Sequence, residues 1–236
     1  MSNPIRIGIA GLGTVGAGLI KIIQKNSNIL EARAGKPIKI IAVSALSKSK
    51  DRGVDLTAYE WEDDPIALAK RDDIDVFVEL IGGESGQAKK ATEEAIKHGK
   101  HVVTANKAML AIHGQELASA AENSGVNLRF EAAVAGGIPV IKTLTESLAG
   151  NNITRIMGVM NGTCNYILTR MEDTGLAYEE IFEEANQLGF LEADPNLDVG
   201  GIDAAHKLVL LSSIAYGTQV DFNGAILEGI GRITIE

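Results

Sequence analysis

The sequence predicts an α/β fold, a doubly wound parallel sheet followed by a smaller α+β domain, and three observations carry that prediction. Short β-rich runs recur between helix-length stretches, the first run ends in a glycine-rich turn that opens a helix, and after about Asn151 the alternation changes character. The chain has 236 residues, a formal net charge of −9 and 45% hydrophobic content, enough for one large or two modest domains. An acidic balance with no Lys/Arg cluster argues against a nucleic-acid partner. No segment reaches the ~18–20 continuous apolar residues of a membrane span. The first β-rich run begins at Ile5, leaving no room for a signal peptide. The single cysteine, Cys164, forbids an internal disulfide and fits a reducing, cytoplasmic compartment.

Ile5 to Ala10 reads as the first strand and ends in Gly11-Leu-Gly13-Thr-Val-Gly16, with a helix following from Thr14 to about Lys25. Gly-x-Gly-x-x-Gly alone is a weak match in a chain with 26 glycines. Between a strand and a helix it is stronger, because it brings backbone N–H groups and a helix N-terminus to a pyrophosphate; the expectation is a Rossmann-type dinucleotide site using Gly11, Gly13, Thr14, Val15 and Gly16. Asn26 to Pro37 reads as a polar loop, and Ile38 to Val43 as the second strand. No Asp or Glu ends that strand to meet a ribose; Ser44 follows, then Lys48, Lys50 and Arg52, which suits a 2′-phosphate and leans the coenzyme toward NADP over NAD. Asp75 to Ile81 is the third strand, closed by Gly82-Gly83, and a helix from Gln87 to Lys97 turns Ala88, Ala91, Ala95 and Ile96 inward. His101 to Thr104 is the next strand. Lys107, leaving its carboxyl end, points to where such sheets bind ligands. Val126 to Phe130 supplies another strand, and Glu131 to Pro139 a loop of small residues that reads as a connection between domains.

The first domain is expected to span residues 1–150 and the second 151–236. In the second, Asn152 to Val159 is a strand candidate, Asn161-Gly-Thr-Cys-Asn-Tyr leads into a helix, and Tyr178 to Leu188 forms another. From Leu188 to Leu211, Glu192, Asp194, Asp198, Asp203 and Lys207 crowd against an apolar run. Asp-Pro at 194–195 and Gly-Gly at 200–201 mark loop, and Ile202 to Tyr216 has helix length and composition. Asp203 and Lys207, four apart, share one helix face that continues into Leu210 and Ile214. An exposed pair at this spacing contributes only about 0.3–0.5 kcal/mol. A face that turns apolar favours a functional pair instead, because desolvation favours the neutral amine while the aspartate opposes it.

Four motifs together resemble homoserine dehydrogenase: the glycine turn, Thr104-Ala-Asn-Lys107, Asn161-Gly-Thr-x-Asn165-Tyr-Ile-Leu168, and Leu188-Gly-Phe-x-Glu192-x-Asp-Pro195 with Asp203-x-x-x-Lys207. The family usually has threonine where Cys164 stands, and many members carry arginine near Ser44. The resemblance implies interconversion of L-aspartate 4-semialdehyde and L-homoserine by hydride transfer with NAD or NADP. It implies that Lys207 donates and accepts the proton, that Lys107 contacts coenzyme near the reaction, and that Glu192 holds the substrate ammonium while Asp203 and Asp198 bind substrate. Thr104 and Gly189 join the coenzyme contacts. Main-chain oxygens of Glu131, Val134, Gly136 and Ile138 would hold sodium, and the second domain would form a homodimer. Family members continue beyond the point reached by Glu236, so a shortened substrate domain is expected.

Two rival readings remain open from sequence. Cys164 as a thiol nucleophile would make the chain a different aldehyde dehydrogenase, although a lone buried cysteine is more often inert. A dinucleotide-binding module without catalysis is the other.

Overall fold

Six strands, all parallel, form one sheet in a computed structural model that describes residues 3–192 and 194–235. They are β1 (Ile5–Ala10), β2 (Ile38–Ser44), β3 (Glu60–Glu62), β4 (Val76–Glu79), β5 (His101–Thr104) and β6 (Leu128–Arg129). Their spatial order is β3-β2-β1-β4-β5-β6, so the winding reverses at β1 and β4, the place where doubly wound sheets open a ligand crevice. The connecting helices are α1 (Thr14–Lys25), α2 (Ser27–Ala34), α3 (Pro65–Lys70), α4 (Gln87–Lys97) and α5 (Lys107–Asn123).

Alternation along the strands builds two cores. Ile7 and Ile9 of β1 and Val78 of β4 join Ile20 and Ile23 of α1 on one face, while Ala10 and Phe77 join Ala91 and Ile96 of α4 and Leu117 of α5 on the other. Such strands are covered on both faces, so β1 reads as a nearly continuous apolar run.

The chain divides by its contacts into residues 1–140 and 141–236, where composition placed the change near 150. After β6 come a single turn, α6 (Glu131–Val134), then α7 (Val140–Lys142) running into a π-helical turn at Thr143–Ser147. Unit 2 continues with α8 (Gly162–Thr174), α9 (Tyr178–Gln187), α10 (Asn196–Val199) and α11 (Ile202–Tyr216). Ile167 and Met171 of α8 pack on Ile181 and Ala185 of α9, and α10 packs on α8 and α11.

Three expectations change. The polar stretch after Asn26 contains α2, which buries no side chain and so carries no amphipathic signal. Glu131–Val134 is helical, where a loop was expected. Residues 152–159, expected as a strand, form no ladder among the described residues, and the described part of unit 2 is helical or irregular. No helix among the described residues is long and apolar enough to cross a membrane.

Candidate active site

The glycine turn in unit 1 is shaped by three different demands. Gly11 has φ +95°, and a Cβ there would lie 2.2 Å from the carbonyl oxygen of Leu80, so β1 and the end of β4 can approach only through a hydrogen. A Cβ on Gly16 would lie 2.1 Å from the Gly11 carbonyl, which seats α1 directly on the turn. Around Gly13 there is nothing within 4 Å. Gly13 instead borders a cavity of about 450 Å³, with Ser44 to Ser47, Lys50 and Arg52 on its other side. Thr14 and Val15, in the first turn of α1, are exposed.

Arg52 frames this cavity. Its Nε donates to Leu12 O at 3.1 Å, Nη1 to Lys50 O at 2.7 Å and Nη2 to Ser47 O at 2.5 Å, and its guanidinium lies 5.6 Å from the Trp61 ring centre. Of the basic residues that follow β2, Lys50 and Arg52 line the cavity, whereas Lys48 is not among its lining residues.

At the carboxyl ends of β4 and β5 lies a group that sequence reasoning missed. Glu79 is fully buried, and its Oε1 accepts from the N–H of Ile81 at 2.8 Å and of Gly82 at 3.1 Å. The Thr104 hydroxyl donates to Oε2 at 2.5 Å and itself accepts from Asn106 N–H at 2.9 Å. Asn106 caps α5 by accepting from Met109 N–H, and its Nδ2 donates to Gly83 O at 2.7 Å. One carboxylate thus ties the glycine loop after β4, through Thr104, to Asn106, the cap of α5 and the residue before Lys107. An acid inside the apolar run of β4 was the signal in the sequence.

In unit 2 the expected residues converge. Lys207 Nζ donates to Asp203 Oδ2 at 2.6 Å and to Met160 O at 2.7 Å. Its side chain keeps 21% exposure beside an aspartate at 6%, so the pair stands at the rim of the buried helix face that carries Leu210. Among the described residues no third acceptor meets the ammonium. Asp198, buried in α10, accepts Glu192 N–H on Oδ2 at 2.9 Å. It therefore holds the backbone at Glu192, whose own side chain is exposed. Asn161, also missed, donates from Nδ2 to both Asp198 Oδ1 and Asp203 Oδ2 at 2.9 Å each, while its Oδ1 accepts from Cys164 N–H at 2.7 Å and caps α8. The Thr163 hydroxyl donates to Phe190 O at 2.9 Å and steadies the turn in which Gly189 has φ +73°.

Residues 11–131 match the family described as homoserine dehydrogenase, NAD binding domain, and residues 139–236 match the one described as homoserine dehydrogenase. The chain belongs to the homoserine dehydrogenase family. It is 46% identical over 231 residues to the homoserine dehydrogenase of Neisseria gonorrhoeae and 44% identical over 239 to that of Bacillus subtilis, with 98% of this chain and 53% of each relative covered. The structure of a homoserine dehydrogenase from Thiobacillus denitrificans superposes with a TM-score of 0.93 at 43% identity, covering 98% of this chain and 53% of that one. A hyperthermophilic archaeal homoserine dehydrogenase in complex with NADPH gives a TM-score of 0.82 at 28% identity, over 98% and 75%. The chain spans about half the length of the curated relatives it matches.

Cys164, where the resemblance expects threonine, sits in surroundings that disfavour the thiolate. Its Sγ donates to Asp198 O at 3.2 Å, and burial, then the negative Asp198 and Asp203, push the thiol above its usual range, away from a nucleophilic thiolate. At the segment expected to hold sodium, Ile138 O already accepts from Val140 N–H at 2.8 Å, and Gly137 turns the chain at φ +82°.

Proposed function

We propose that this homoserine dehydrogenase family chain interconverts L-aspartate 4-semialdehyde and L-homoserine with a nicotinamide coenzyme, a step in threonine and methionine biosynthesis. The observation that carries the reading is the Lys207 ammonium, which Asp203 and Met160 orient and whose third N–H meets no acceptor among the described residues. When bound, the coenzyme supplies or removes the hydride. Gly13, with open space before it, fits the close approach of a pyrophosphate, and Thr14, Val15 and the seating of Gly16 set the α1 N-terminus for it. Lys50 suits a 2′-phosphate and Arg52 holds the loop, so NADP is expected to bind at least as tightly as NAD.

The remaining work falls to side chains of this chain. In the reducing direction Lys207 gives its third proton to the carbonyl oxygen as charge develops there, and Asp203 holds the side chain in place for the transfer. Glu192, exposed on a backbone fixed by Asp198, is suited to the substrate's ammonium. Thr104 and Asn106 place Lys107 beside the glycine loop, where it would contact coenzyme, and Gly189 would do so from its turn. Main-chain oxygens of Glu131, Val134 and Gly136, with the second lone pair of Ile138 O, are the expected sodium ligands. A homodimer through unit 2, as the family resemblance implies, would cover the exposed Met157 and Val159, and light scattering checks it. The single cysteine supports a cytoplasmic setting.

Homoserine oxidation followed with NAD and NADP in parallel tests the reaction. Lys207→Ala should slow the chemical step by roughly 10²–10⁴-fold with coenzyme affinity nearly unchanged. Near-normal turnover in that variant would move the proton-transfer role to Lys107.

A further inference from the structure

We propose that Asn161 is a positioning residue that sets the proton-transfer lysine and the substrate-binding loop from a single side-chain amide. The inference rests on the reaction proposed for Lys207 and Glu192. It starts from an economy of hydrogens: the Nδ2 amide has two, and each meets a buried carboxylate on a different helix, Asp198 of α10 and Asp203 of α11. Those acids are 3% and 5% exposed, so each depends on its donors for stabilisation.

Each carboxylate then passes its position on. Asp203 holds Lys207 at 2.6 Å, and Asp198 holds the backbone N–H of Glu192 at 2.9 Å. The preceding residue adds a second constraint, because Met160 O receives Lys207 at 2.7 Å. Residues 160–161 therefore fix the ammonium from two directions while also fixing the register of the loop that carries Glu192. Helix capping alone needs only the Asn161 oxygen, which Cys164 N–H occupies. The two bonds from nitrogen are surplus to a cap and serve the site.

This separates the two roles by substitution. Asn161→Ser keeps an oxygen able to cap α8, but one hydroxyl hydrogen serves at most one carboxylate. Asn161→Asp keeps the cap oxygen and the shape and presents an acid to two acids. Three readouts apply to each variant: hydrogen exchange at the Glu192 amide, coenzyme affinity, and kcat and KM with and without Lys207→Ala. Asn161→Ser should speed Glu192 exchange by roughly tenfold or more, leave coenzyme Kd within about twofold, raise KM for homoserine and lower kcat by roughly 10–100-fold. In the Lys207→Ala background the same change should alter kcat by less than about threefold, since residues acting through one group are not additive. Asn161→Asp should lose more turnover than serine.

Unchanged Glu192 exchange in a folded Asn161 variant, or a kcat loss that persists in full without Lys207, overturns the proposal. The exchange measurement needs no turnover. A wild-type protein inactive toward homoserine would defeat the proposed reaction, and the Glu192 amide would still decide whether Asn161 positions the loop.

Discussion

Cys164 shows how a residue's neighbours decide its chemistry. Its thiol donates to a carbonyl and faces two acids, so the thiolate is disfavoured. Cys164→Thr should retain nearly full homoserine turnover, and the native thiol should react with iodoacetamide more slowly at pH 8 than a free thiol with an ordinary pKa near 8.5; loss of activity in the threonine variant would revive a nucleophilic role. The Asp203 and Lys207 pair was legible in the sequence because both residues lie on one helix four positions apart, and helical spacing alone brings them together. Asn161 was quoted within a motif yet given no role, since its partners are 37 and 42 residues away and no periodicity reports such a contact. Glu79 was hidden for the same reason: its bond to Thr104 spans 25 residues. Asp198 was expected to touch substrate, and both its oxygens are engaged within the protein.

At the scale of elements, the glycine turn combines two requirements that sequence cannot separate. Gly11 is needed for packing and Gly13 for open space. Gly11→Ala should therefore destabilise the fold by about 2 kcal/mol or more, read as a Tm lowered by roughly 5 °C, because it combines a positive φ with a clash against backbone. Gly13→Val should leave Tm nearly unchanged and abolish coenzyme binding in a direct titration. Equal loss of stability in both would refute this division. The strands β1, β2, β4 and β5 and the helices α1, α4, α9 and α11 were readable within a residue or two, since burial on one or both faces imprints a pattern. α2 buries nothing, and residues 152–159 have strand-like composition without a ladder partner, so local pattern misled in both directions.

For the molecule as a whole, resistance to acid depends on carboxylates held ionised by the fold. Asp75 is one: hydrogen bonds from the Arg6 side chain and backbone N–H, joining β1 to the start of β4, outweigh its desolvation and hold its pKa below the usual carboxylate range. A lowered folded pKa contributes stability that is fully present above the unfolded value, near 4, and is lost as pH falls through the folded one. Wild-type protein should thus exceed Asp75→Asn in denaturant midpoint at pH 7, and the gap should close as pH falls below the ordinary carboxylate range. A gap that stays constant across that range would show that charge plays no part.

The Asn161-Gly162 pair also sets a chemical lifetime. Glycine is the neighbour that least obstructs attack by the next backbone nitrogen on an asparagine amide, the first step of deamidation, and asparagine is among the heat-labile residues. While the protein is folded, both polar atoms of the Asn161 side chain are engaged and Gly162 is locked at the start of α8. Unfolding releases both restraints. Each heating cycle should then release ammonia from a fraction of chains as a cyclic imide forms, and water opens that imide to aspartate or isoaspartate, which adds a negative charge beside Asp198 and Asp203. The damage accumulates as an acidic charge variant, and the native hydrogen bonds are what keep that clock stopped.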